Sequence, residues 1–393
     1  MGFCAIALDI GLLEMKRLQM QDAADAAAMG ALLESERGNT DWVSAGIADA
    51  ALNGFVNGSG NVTVTITNPP TTGSYTTDQG AFQAKVTQSI NTLFTGQVMT
   101  MNAQATAHMP PCGYFLNTSG SYNTLSLASS TLVASCPVYD AQGMYVDASS
   151  TATADDFLLQ GATGLSTLVG TVTPTPIYSY PAMSDPLSTI TSPSFSMPCN
   201  FLNLSLGLLN THTIISTPLN PGVYCGGMTL LWSTVTLNPG LYIIVGGLDW
   251  VSSTVNGTGV TLFMTKGSVF SYGQVIITGN PLVILGGPSV VNLSAPTDSS
   301  NGGIPGVLLF GDRNWVKTTA DDIQLTNCSF NGDGIIYFIR TGIYASACPI
   351  AAPHYFGMVV DNLQEISGSV HLSSNYSSVV GGNPFHPRES LAE

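Results

Sequence analysis

Between residues 219 and 247 this chain writes one short phrase twice. Leu219-Asn-Pro-Gly-Val-Tyr224 returns as Leu237-Asn-Pro-Gly-Leu-Tyr242, offset by 18, and Gly226-Gly227 returns as Gly246-Gly247, offset by 20. Short apolar runs continue beyond it, at Val260 to Met264, Val275 to Ile277, Leu282 to Leu285, Val307 to Phe310, Ile335 to Ile339 and Phe356 to Val360. Gly, Asn and Pro-Gly corners separate them. A unit of about 20 residues cannot bury an apolar face alone, so it stacks on its neighbours. The spacing therefore predicts a mainly β domain over 111–376, in the form of a right-handed parallel β-helix. A β-sandwich is the alternative, because short strands about 8 to 12 residues apart with turn signals fit it too.

Charge narrows the partners. Only 8% of the 393 residues are charged, the net charge is -15, and no Lys or Arg stands between Lys85 and Lys266. Phosphate neutralisation needs basic clusters, which excludes nucleic acid, and an anionic membrane surface has nothing to hold on this body. A surface built of Ser, Thr, Asn and Gly is typical of displayed, exported β-proteins. The cysteines point the same way. Cys4 lies in an N-terminal helical stretch; the other six fall as neighbours, Cys112 with Cys136, Cys199 with Cys225 and Cys328 with Cys348, at spacings of 24, 26 and 20. No C-x-x-C occurs, and no His lies at ligand spacing, so zinc is a poor reading and three local disulfides in an oxidising compartment a better one.

The first 36 residues carry no proline and are rich in Ala, Leu and Met, which predicts one long helix. Its start is apolar (Phe3, Ala5, Ile6, Leu8, Ile10, Leu12, Leu13), its middle holds Asp9, Lys16 and Arg17, and alanines at 23, 24, 27 and 28 give small residues at i+4 spacing. Small residues let helix backbones approach closely. The stretch before Asp9 is too short to span a bilayer, which needs about 20 apolar residues. Either further residues precede Met1, or the chain is processed, or the helix inserts into a protein core. The expectation is burial against copies of the same helix or in a membrane, with Asp9 meeting Lys16, Arg17 or a terminal amine of a neighbour. A second helix follows with a packing stripe of Val43, Ile47, Ala51 and Phe55. Alternation from Asn61 to Thr67, and runs at Phe82 to Val86 and Val98 to His108, make a small α/β unit over 37–110. Residues 377–393 carry turn and loop residues and read as a C-terminal tail lying on the surface or against a neighbour.

Asp9-x-Gly11, the basic pair Lys16-Arg17, and Met20-Gln21-Asp22-Ala23-Ala24-Asp25-Ala26-Ala27-Ala28-Met29-Gly30-Ala31 resemble the N-terminal signature of the TadE/TadG-like proteins of the Flp (tight-adherence) pilus system. Pro221-Gly-Val-Tyr-Cys-Gly-Gly227, and Ser184-Asp185-Pro186-Leu187 with Cys199, are similar to later elements of some TadG-like chains. The resemblance implies a pilus-assembly or fibre component of the bacterial cell envelope, exported through the inner membrane to the cell surface. Its partners would be copies of itself and other pilus or envelope components, with possible membrane contact through the helix.

Catalytic candidates are thin. Asp155-Asp156 and Asp321-Asp322 imitate an acid/base pair for a glycosidic bond, but no Gly-His-Gly turn or Arg-x-Lys accompanies them. Asp147-Ala-Ser149-Ser-Thr151 imitates a von Willebrand A metal motif without the apolar strand that motif needs. The histidines at 108, 212, 354, 371 and 386 are scattered, and no Gly-x-Ser-x-Gly elbow occurs. The reading is a structural or adhesive protein with no catalytic residues, no metal and no cofactor. A carbohydrate-active or carbohydrate-binding β-helix protein is the alternative.

Overall fold

The structure is a computed structural model that describes residues 2–36, 39–73, 75–76, 80–94, 96–118, 120, 123–163, 166–194, 199, 201–206, 217–266, 273–279, 287–315, 323–380 and 382–385. The chain divides into two compact units at Pro110/Pro111, with residues 111–386 forming the second.

Unit 1 joins two helices, α1 (Gly2–Glu36) and α2 (Trp42–Leu52), to an antiparallel sheet of β1 (Val62–Thr67), β2 (Ala81–Asn91) and β3 (Val98–His108), in the order β1-β2-β3. The long helix packs against α2 and the sheet within this unit, so 1–36 and 37–110 are one body rather than two domains. The predicted stripe on α2 shifts by one position: Val43 is exposed, and Gly46 and Ala50 are buried with the more distant Phe55. The reason is proximity. A Cβ on Gly46 would lie 2.6 Å from the Ala27 carbonyl oxygen, so only a small residue admits α1 at that distance.

Unit 2 is a β-rich, solenoid-like stack of coils. Their strands pair in parallel, coil on coil, in the order 201–219, 222–237, 240–257, 260–293, 307–331, 334–351, 355–374, 113–134, 138–153, 157–173. The sandwiches of this kind are antiparallel, and among the described residues of this unit only Tyr355 and Phe356 meet Ser374 and Ser373 that way. The chain enters this stack away from its start. Its first three coils occupy one end, residues 179–194 lead back from them, and the last coil, 355–374, stops against the first, 113–134.

Inward residues alternate with outward ones in strands such as Leu125–Ala128, Ile323–Thr326 and Ile343–Ser346, whose inward files are fully buried, as at Leu325, Ala345 and Leu127, whereas strands such as Val260–Thr265 and Tyr355–Val360 are buried at every position. Corners repeat as well. Trp232, Ser252, Asn327, Ala347, Ser367 and Ser129 all adopt positive φ, and each precedes a small residue: Ser233, Ser253, Cys328, Cys348, Gly368 and Ser130. These small residues stack in register into an inner ladder, in which the Ser233 amide donates to Ser253 Oγ, the Ser253 amide to Ser289 Oγ, and the Ser130 amide to Ser150 Oγ. The doubled glycines of the repeat serve close approach: a Cβ on Gly227 would lie 2.5 Å from the Gly247 carbonyl oxygen. Tyr224 and Tyr242 stack with centroids 5.8 Å apart, each hydroxyl donating to the carbonyl four residues earlier, at Asn220 and Asn238. Residues 377–385 do not hang free as a tail; Val379 and Phe385 are buried in unit 2.

Candidate assembly surface

Along α1 two faces separate. Asp9, Leu13, Lys16 and Met20 point toward unit 1 at helical spacing, followed by Ala23, Ala24, Ala27, Ala28 and Ala31, which are all fully buried. Those alanines face α2 and the sheet of their own chain. The expectation that they meet a neighbouring copy is therefore corrected, since the intramolecular packing already occupies them. The side chains of Phe3 and Ile6 lie outside the described residues. Arg17 is exposed, and Lys16 sits over the Phe55 ring, 4.5 Å from its centroid.

Asp9 has its partner inside the chain. One carboxylate oxygen accepts the amides of Leu93 and Phe94 at 2.9 and 3.2 Å, and the other accepts Phe94 at 3.3 Å. The two amides open the β2–β3 turn, where Thr92 and Gln97 close the loop through paired bonds. Asp9 thus fixes the hairpin tip beside the helix, a charge-assisted bond to backbone N–H being stronger than a neutral one.

Large apolar side chains stand exposed on both elements, beside Glu14 and Arg17 on the helix. Leu8, Ile10, Leu12, Met15 and Leu18 are exposed on the helix, and Leu93, Phe94, Val98 and Met99 on the hairpin, with Leu18 at 67% and Leu93 at 70%. Large exposed apolar patches mark interaction sites. The helical part of this signal was readable in the sequence. The hairpin part was not, because nothing local links residue 9 to residue 93. No helix among the described residues is long and apolar enough to cross a membrane.

The six cysteines come together as Cys112–Cys136, Cys199–Cys225 and Cys328–Cys348, with Cα separations of 5.9, 5.9 and 4.4 Å. The last pair fills two successive steps of the inner ladder.

The chemical candidates fall apart in space or into structural roles. Asp321 and Asp322 lie outside the described residues. Asp156 is buried and its carbonyl accepts the Val138 amide, while the Asp155 amide donates to Cys136. Asp147 builds a coil corner: its carboxylate accepts the Ser149 amide and the Ser149 and Ser150 hydroxyls on one oxygen, and the Ser129 amide on the other. These donors hold its carboxyl below the usual range, the Ser150 hydroxyl most of all. Among the described residues no three His, Cys, Asp or Glu side chains gather as for a metal ion.

One pairing went unseen in the sequence. His354 Nδ1 lies 2.8 Å from Asp333 Oδ2, and the other Asp333 oxygen accepts the His354 and Tyr355 amides. Ser373, one turn away, donates its hydroxyl to the His354 carbonyl rather than to the ring. The arrangement ties a loop and presents no nucleophile.

One outer face of unit 2 carries no Lys, Arg, Asp or Glu in any of its strands, from Thr234–Leu237 through Ser369–Ser374 to Thr171–Thr173. Asn256, Asn292 and Asn331 form an amide file along it, bonded at 2.9 and 3.1 Å. No family model, curated protein or solved structure matches this chain.

Proposed function

We propose that this chain is a non-enzymatic structural or adhesive protein of the bacterial cell envelope, resembling a TadG-like pilus-assembly component and displayed at the cell surface. Unit 2 serves as its exported body, read as a right-handed parallel β-helix stapled by disulfides. Unit 1 is its assembly element. The observation that carries this reading is the apolar surface of α1 and the β2–β3 tip, held together by Asp9. Exposed side chains of this size in a chain with so little surface charge favour contact with a second copy or another envelope component. Replacing Leu12, Leu18 and Phe94 together by Asp is expected to convert an associating protein to monomers in sedimentation velocity, with the circular dichroism unchanged. Association undiminished by the triple variant in samples that have not been warmed would overturn the assignment.

A second reading, binding of a neutral polysaccharide, draws on the uncharged face with its asparagine file. The combined Asn256→Ala, Asn292→Ala and Asn331→Ala variant is expected to lose retention on immobilised neutral glycans if that face binds them, and retention unchanged by the variant would sink the idea.

A further inference from the structure

Among the described residues, all but one of the parallel strand pairings between coils in unit 2 join coils that follow one another along the chain. The exception is the joint between 355–374 and 113–134. Its pairing is regular: Met358 lies beside Gly113, Gln364 beside Ser126 and Val370 beside Leu132, all in parallel. No covalent path of neighbouring coils crosses it. None of the three disulfides crosses it either; each staples coils on one side.

The joint also carries a fault. Glu365 points into the aliphatic file between Ala345 and Leu127, is fully buried, and neither carboxyl oxygen has a hydrogen-bond partner. It fits there because Gly368 leaves a gap in the inner ladder, where a Cβ would overlap the Glu365 carboxyl. A buried polar group without a partner weakens the packing around it.

What holds the joint closed lies outside the coils. The connection from 179 onward passes over it: the Met183 amide donates to Tyr139 Oη on one side, and Tyr337 Oη donates to Asp185 on the other. Arg313 then clamps the connection by donating to the carbonyls of Leu187 and Ile190 at 2.6 and 2.8 Å. Phe385 adds a plug, its ring tilted against Tyr114 with centroids 5.5 Å apart and filling the space beside Gly357. The connection has slack. Residues 179–200 extend to about 75 Å, whereas the ten coil steps from Tyr178 to Phe201 at about 4.8 Å each need only about 48 Å.

We propose that this joint is an exchange surface whose partner is a second copy of the chain: the 113–173 coils of one copy seat on the 355–374 coil of another, with the 179–200 connection passing between them. The same parallel pairing forms in both cases, so exchange loses no ladder, and it proceeds once the Arg313 clamp lets go. This surface lies wholly in unit 2 and is independent of the α1 surface.

Full-length chains carrying Gln364→Cys and full-length chains carrying Ser126→Cys, mixed, warmed below the unfolding transition and mildly oxidised, test it. Peptide mapping is expected to find a 126–364 disulfide between chains, and adding Asp185→Asn to both is expected to raise its yield several-fold by loosening the connection. The double variant Ser126→Cys/Gln364→Cys is the reference and is expected to close within one chain. Closure in the reference with no inter-chain 126–364 peptide in the mixture would overturn the proposal, and so would failure of the reference to close, since the pairing itself would be wrong. Adding the Leu12, Leu18 and Phe94 substitutions separates the two surfaces: exchange is expected to persist when association through α1 is gone.

Discussion

The two units handle large apolar side chains in opposite ways. Among the described residues unit 1 leaves Leu8, Ile10, Leu12, Met15, Leu18, Leu33, Val43, Leu52, Val56, Leu93, Phe94, Val98 and Met99 exposed, whereas the far longer unit 2 leaves only Val133, Val169, Trp232 and Val380. A coil stack gives every inward side chain a neighbour above and below, so burial is automatic. A two-helix, three-strand unit has one buried layer and must leave the rest out. The difference places most of the exposed large apolar side chains in unit 1 and the continuous buried files in unit 2. It also separates two kinds of core: backbone closeness in unit 1, register in unit 2.

The sharpest way to break the first kind is Gly46→Leu. The new side chain has nowhere to go against the Ala27 carbonyl, and the expected loss is about 3 kcal/mol or more. Thermal unfolding followed by circular dichroism should show unit 1 melting early while the β signal of unit 2 persists. A single unshifted transition would mean that the close approach of the helices is wrong.

Next comes the register of unit 2. The double variant Cys328→Ser/Cys348→Ser keeps the small-residue ladder, since Ser already fills other steps, but removes the cross-link. The closed loop spans a separation of 20, so the loss is about 3 kcal/mol in the chain-entropy model, read as a lower urea midpoint. Limited proteolysis is expected to cut first near that coil, with unit 1 untouched.

The smallest effect is a slope. Burial pushes the Glu365 carboxyl up to about 8 from an ordinary 4.5. The folded chain keeps that proton where the unfolded chain has lost it, so folded copies carry more protons across this window and stability falls as pH rises through it. Burial also lifts Asp140 to about 6 against the lowering effect of its bonds from the Thr124 hydroxyl and the Gln142 amide, so between about pH 6.5 and 7.5 Glu365 is read as the difference between wild type and Glu365→Gln, in which the Asp140 contribution is common. Wild type is expected to lose about 1.4 kcal/mol more than Glu365→Gln over that interval. Equal slopes in urea titrations would show that the carboxyl is solvated.

The asymmetry between units was partly legible in the chain. The apolar start of α1 and the small residues after it stand in one continuous stretch, and helical period alone separates them into faces. What misled was the alanine run: small residues at i+4 spacing signal close helix approach without saying whose helix, and α2 supplied it through Gly46 and Ala50. Asp9 shows the same limit. A carboxylate in apolar surroundings demands a partner, yet two backbone amides 84 and 85 residues away answered.

By itself, then, the sequence determined what is local and periodic: helices where Ala and Leu run without proline, coils where an apolar run and a glycine corner return about every 20 residues, and cysteines close enough along the chain to meet across neighbouring coils. Only the tertiary structure decided which coil lies on which. Every coil edge offers the same backbone donors and acceptors, so pattern cannot tell the edge of 355–374 that its partner is 113–134. Long-range choices of that kind rest on a few specific fits, such as Phe385 against Tyr114 and Arg313 on the 179–200 connection, whose members are far apart in sequence and share no period.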